Sequence, residues 1–108
     1  MKVAGLIDDL FFTAKLREVA HALNSEATIC RSAEAVPPDA QRVFVDLSAV
    51  TFDPIAEIAR LKASHPSPVT AFFSHVQIDM MERAERAGAD EVVPRSIFAR
   101  RVAEIMQG

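Results

Sequence analysis

Val3-Ala4-Gly5-Leu6-Ile7-Asp8-Asp9 opens the chain with five residues that have no polar side chain, followed at once by two aspartates. A strand half-exposed to water alternates apolar and polar residues, whereas a strand covered on both faces in a parallel sheet reads as a continuous apolar run. The next apolar residues, Phe12, Leu16, Val19, Ala20 and Leu23, fall at i, i+4, i+7, i+8 and i+11. That spacing is one face of an α-helix. The unit therefore reads as buried strand, acidic turn, amphipathic helix.

The same alternation continues to the end of the chain. Strand-like runs occur at Ala27–Cys30, Val43–Val45, Val69–Phe73 and Glu91–Val93. Between and after them lie three more helical stripes: Ile55, Ile58, Ala59 and Leu61; Ile78, Met81, Ala84 and Ala87; and Phe98, Val102, Ile105 and Met106. Asp53-Pro54 has the form of an N-cap followed by proline in the first turn. Ser74-His75-Val76-Gln77 has the form of a capping box, and Gly88 stands where the third stripe needs a C-cap. Parallel neighbours require crossovers, so the pattern predicts an α/β protein. Residues 1–108 read as a single domain with a flavodoxin-like, doubly wound, five-stranded parallel sheet in the order 2-1-3-4-5.

One crossover is abnormal. Between the second and third strands, Ser32 to Gln41 contains Pro37-Pro38, and proline removes an amide and disfavours helix before it. The second helix is expected to be short or missing. That would thin the cover over one flank and invite a homodimer or partner docking at Ser32–Gln41, beside the Asp53–Ala63 helix. The alternative is that the loop folds down, so that Ala33, Ala35 and Val36 cover the gap.

Bulk properties exclude several classes. A formal net charge of −3 argues against a nucleic-acid surface. No apolar run has the length of a membrane span and no signal-peptide pattern is present, so a cytoplasmic protein is expected. Cys30 is the only cysteine, which rules out an internal disulfide and suits a buried thiol. His21, His65 and His75 lack zinc-like spacing, no glycine-rich phosphate loop occurs, and no nucleophile–base pair stands out. The chain reads as a signalling module rather than an enzyme. Arg100-Arg101 reads as a solvated helix face.

In an open parallel sheet, ligands bind beyond the carboxyl ends of the strands at the switch point. Asp8 and Asp9 end the first strand there, and Asp46 ends the third. Three carboxylates at one spot repel one another unless a cation offsets them, and Mg2+ suits such a donor set. The plainer reading is that Asp8 and Asp9 favour the start of a helix. Leu6-Ile7-Asp8-Asp9 and Val43-Phe44-Val45-Asp46 resemble the acidic pair and the phospho-acceptor strand of response-regulator receiver domains (CheY-like). Asp53 stands where receivers often carry an acid before their third helix. Gly88-Ala89-Asp90-Glu91-Val92-Val93 is similar to the family's entry into its last strand. The resemblance spans the chain. It implies phosphoryl acceptance on Asp46, with Asp8, Asp9, Asp46 and the Ser48 carbonyl holding magnesium. It also implies a histidine kinase or phosphotransfer protein as donor and a downstream protein as partner.

The departures from the family pattern are specific. Arg95 stands in the place of the family's lysine, and its planar guanidinium does not replace a compact ammonium. Ser96 takes the place of the usual proline. Phe73 occupies the position of the family's strand-end hydroxyl, leaving Ser74 one residue late and already explained by the capping box. Val92 replaces the switch aromatic, and Val50 and Pro54 stand where proline and glycine are usual. Two functions follow. One is a stand-alone phospho-acceptor of a two-component phosphorelay using Asp46, Arg95 and Ser74; the other is a phosphorylation-independent pseudo-receiver that works through protein contacts.

Overall fold

Val43 and Val45 face one side of the sheet and Phe44 the other, and all three are fully buried. A strand can do this only when helices cover both of its faces. In the computed structural model, which describes residues 1–74 and 78–108, that strand is the centre of a five-stranded parallel sheet. The strands are β1 (Lys2–Leu6), β2 (Glu26–Cys30), β3 (Arg42–Asp46), β4 (Val69–Phe73) and β5 (Glu91–Pro94), in the order β2-β1-β3-β4-β5. The helices are α1 (Leu10–Ala22), α2 (Pro54–Ser64), α3 (Ile78–Ala87) and α4 (Phe98–Gln107), the last preceded by a 3-10 turn at Arg95–Ile97. Fold class and strand order are those expected from the sequence.

Each face has its own core. Phe12 and Leu16 of α1, and Phe98, Val102 and Ile105 of α4, pack on Val3, Ile7, Phe44 and Phe72. On the opposite face, Ile58 and Leu61 of α2 and Ala84 of α3 pack on Ala4, Leu6, Val43, Val45, Val69 and Ala71. Gly5 lets α1 approach the sheet, because a Cβ there would sit 2.7 Å from a Leu16 methyl. Gly88 adopts φ +115° just past α3, the left-handed conformation that ends a helix with least strain. Among the described residues no helix is long and apolar enough to cross a membrane.

Two helical stripes are rotated from their sequence reading. Ala59 is exposed, and the buried partner of Ile58 and Leu61 is Glu57, only 6% exposed. On α3, Ile78 is 62% exposed and Met81 only half-buried, while Met80 packs with Ala84 and Ala87. Met80, Ala84 and Ala87 also obey i, i+4, i+7, so short stripes with two admissible phases are decided by what the sheet offers. The Ser74–Gln77 capping box cannot be compared, since residues 75–77 lie outside the described residues.

The expected loss of the second helix holds: only a 3-10 turn, Ala33–Ala35, forms there. The open flank does not. Val36 and Ala40 are 5% and 3% exposed and join the α2–α3 core, so the loop itself replaces the helix, although Ala35 stays exposed. Glu57 explains how the loop is held. Its Oε1 accepts the Ala33 amide at 2.7 Å, and its Oε2 pairs with Arg60. A buried carboxylate needs such donors. The loop thus covers the part of the sheet flank that the missing helix would have covered.

Urea unfolding should find Glu57→Ala destabilised by about 1–3 kcal/mol, the range for stranding a buried amide partner. Glu57→Gln, which keeps an acceptor for Ala33, should lose less. Equal losses in the two variants would mean that the amide bond does not hold the loop.

Candidate functional site

Asp46 is the last residue of β3, where neighbouring strands on both sides shield it, and it is 3% exposed. One of its oxygens accepts the Ser48 amide at 2.9 Å. Burial pushes the Asp46 carboxyl above its ordinary value. The Ser48 amide and the Arg95 charge oppose that shift, whereas Asp8 and Asp9 add to it. The three acids are thus close enough to feel one another, yet each turns to a different partner.

Asp8 faces the loop after β3. Its Oδ2 accepts the Val50 amide at 2.8 Å, the Thr51 amide at 2.9 Å and the Thr51 hydroxyl at 3.0 Å. Burial alone would raise this carboxyl, but the three donors hold it below the usual range. Asp9 caps α1 by accepting the Phe12 amide at 3.1 Å on Oδ1, while its Oδ2 accepts from Arg95 Nη2 at 2.8 Å. The Arg95 guanidinium also lies over the Phe12 ring, 3.9 Å from its centroid. The ring contact and the ion pair together hold the guanidinium in place.

Ser74, just beyond β4, reaches the pocket: its hydroxyl lies 2.9 Å from that of Ser48. Phe73 and Val92 turn away into the α2–α3 core. Asp8, Asp9, Asp46, Ser48, Ser74 and Arg95 therefore share one end of the sheet. Among the described residues, however, no group of three or more His, Cys, Asp or Glu side chains is arranged to hold a metal ion. The sequence reading missed Thr51, which carries no periodic or motif signal, and it assigned Phe12 to the core alone. A cleft of about 450 Å³ adjoins the pocket, with Phe11 and Lys15 of α1 on one wall and Arg95, Ser96 and Ala99 on the other.

This arrangement of strands and helices has close structural counterparts. A response regulator receiver protein from Pseudoalteromonas atlantica superposes with a TM-score of 0.81 at 17% identity, covering 99% of this chain and 94% of its own. A CheY-like receiver domain protein from Methanospirillum hungatei gives 0.81 at 12% identity, with coverages of 98% and 90%. A two-component response regulator from Clostridium difficile gives 0.80 at 12% identity, with coverages of 99% and 96%. The chain has the receiver fold. No family model matches it, and no curated protein does. The likeness to receivers is thus one of backbone, and the pocket of this receiver fold has to be judged on its own side chains.

The opposed shifts of Asp8 and Asp46 set opposite pH dependences. Asp46, raised when folded, favours the folded state below the ordinary aspartate value of 3.8 and loses that advantage as pH rises through its folded pKa. Asp8, lowered when folded, contributes stability above 3.8 that is lost as pH falls through its folded pKa. Asp46→Asn should therefore stabilise the protein at neutral pH, with the gain fading in acid, while Asp8→Asn should destabilise it at neutral pH. Melting temperatures of both variants between pH 3 and 8, a span on the order of the usual carboxylate titration range, check the signs. A neutral-pH loss in Asp46→Asn would show that its charge is welcome where it sits.

Proposed function

We propose that this receiver-fold domain is a cytoplasmic signalling module that works through protein contacts, with its acidic pocket closed by its own residues. The observation that carries this reading is the Arg95–Asp9 ion pair. Magnesium in a receiver pocket would draw on Asp8, Asp9, Asp46 and the Ser48 carbonyl, and the donor set as arranged does not fit it. Both Asp9 oxygens are engaged, by the Phe12 amide and by Arg95, and Asp8 spends one oxygen on three donors from the Val50–Thr51 loop. Mg2+ demands near-octahedral oxygen ligands and gives up its water reluctantly. To enter, it would have to displace a cation already stacked and paired in place.

The change from lysine to arginine acts in the same direction. Arginine in the place of lysine pairs with Asp9 while its guanidinium lies over the Phe12 ring. Phe73 supplies no hydroxyl, and the one that reaches the pocket from this strand end is that of Ser74. Signals are then read out by contact with other chains, and no substrate turnover is part of this reading.

A second reading keeps the domain as a phospho-acceptor of a two-component system, charged by a histidine kinase or phosphotransfer protein. It is favoured by Asp46 at the end of the central strand, with the Ser48 and Ser74 hydroxyls and the Arg95 charge nearby. The two readings differ in one measurable way. Intact mass spectrometry after incubation with acetyl phosphate and magnesium should show no phosphoryl adduct on the wild type. An adduct that disappears in Asp46→Asn would establish the phospho-acceptor instead.

A further inference from the structure

Of the two edges of the sheet, β2 carries fewer of the features that keep an edge from pairing. Between Glu26 and Arg31 it reads Ala27-Thr28-Ile29-Cys30, with no charge, proline or glycine to blunt it. The other edge, β5, is four residues long and ends in Pro94. The 3-10 turn that follows β2 crosses to α2, where Glu57 holds it.

The free backbone groups of this edge follow from its pairing. The Glu26 amide donates to the Met1 carbonyl at 2.9 Å, so Glu26 faces β1. Backbone groups alternate sides along a strand, and Thr28 and Cys30 therefore face β1 as well. The amides and carbonyls of Ala27 and Ile29 point the other way, off the edge of the sheet. Side chains alternate between faces too. Ala27 and Ile29 pack toward α1 and α4, Cys30 joins the α2–α3 core, and Thr28, on the same face as Cys30, stays partly exposed.

We propose that this edge pairs with the β2 edge of a second copy of the chain, antiparallel, with the twofold axis at Thr28. In that register Ala27 of each copy exchanges amide–carbonyl bonds with Ile29 of the other, about four hydrogen bonds in all. Thr28 meets its own counterpart across the axis, a favourable cross-strand pair. Charge selects the direction. Exposed Glu26 opens the strand and exposed Arg31 follows it, so an antiparallel copy sets the acidic end of each strand beside the basic end of the other. Lys2 stands 3.9 Å from Glu26 but only 2.7 Å from Asp39, and Arg31 has no ion pair among the described residues. A parallel copy would bring like charges together. The twofold pairing also closes after two chains instead of growing into a fibre. It is independent of the acidic pocket, whose groups belong to β1, β3 and the turn after β5.

So few bonds make a weak dimer, which sets the range of the test. Sedimentation equilibrium of the whole chain from about 1 µM to 1 mM should show a monomer–dimer equilibrium. Ala27→Pro removes one outward amide from each copy and leaves the bonds to β1 in place. It should raise the dimer Kd about tenfold or more, its fold being checked by circular dichroism and melting temperature. Thr28→Cys gives a readout that does not depend on that variant. Across the axis the two Cα atoms would stand about 4.5 Å apart, within reach of a disulfide. Mild oxidation should therefore give a covalent dimer that Ser64→Cys, on the exposed end of α2, does not. A monomer throughout the range, a dimer that Ala27→Pro leaves intact, or no more disulfide in Thr28→Cys than in Ser64→Cys would each overturn the proposal.

Discussion

A carboxylate at the end of the central strand of a parallel sheet must be neutralised or given donors, because the strands beside it keep water out. Asp46 is in that position, 3% exposed, with Asp8 and Asp9 adding negative charge from the neighbouring strand. The surrounding structure answers with protein groups. The Ser48 amide binds Asp46, the Val50–Thr51 loop binds Asp8, and Arg95 brings a positive charge that pairs with Asp9. Coulomb attraction in such a partly desolvated site is stronger than in water. A fixed guanidinium can therefore offset much of what a bound cation would.

That solution has structural consequences. Tying Asp8 to Val50 and Thr51 anchors the loop after β3 to the end of β1. Capping α1 through Asp9 links the helix start to the turn after β5 by way of Arg95, two segments far apart in sequence. Phe12 serves twice, as a core residue packed on Phe72 and Phe98 and as the surface on which Arg95 lies. The pocket is thus joined to the α1–α4 side of the molecule, where the exposed Phe11 and the cleft lie.

Much of the fold could be read from the sequence because burial of both sheet faces writes continuous apolar runs, and crossovers write helical stripes between them. The Pro37-Pro38 pair likewise forecast a missing helix. What was hidden depended on partners distant in sequence. Glu57 reads as a surface glutamate until the Ala33 amide is brought to it, and Ala59 and Met81 lost their expected burial to equally periodic neighbours. In the pocket, Asp8, Asp9 and Asp46 were visible as acids at strand ends. Arg95 was legible as a pocket cation from its place after the last strand, though not that it would pair with Asp9, and Thr51 in a loop carries no local sign of the carboxylate it will meet.

The central claim is that Arg95 holds the place a metal would need. Calorimetric titration of magnesium into the wild type and into Arg95→Ala tests it most directly. The account predicts no saturable binding to the wild type at millimolar magnesium, and a new binding isotherm in Arg95→Ala, where Asp9 regains a free oxygen. Millimolar binding to the wild type, unchanged in Arg95→Ala, would contradict it.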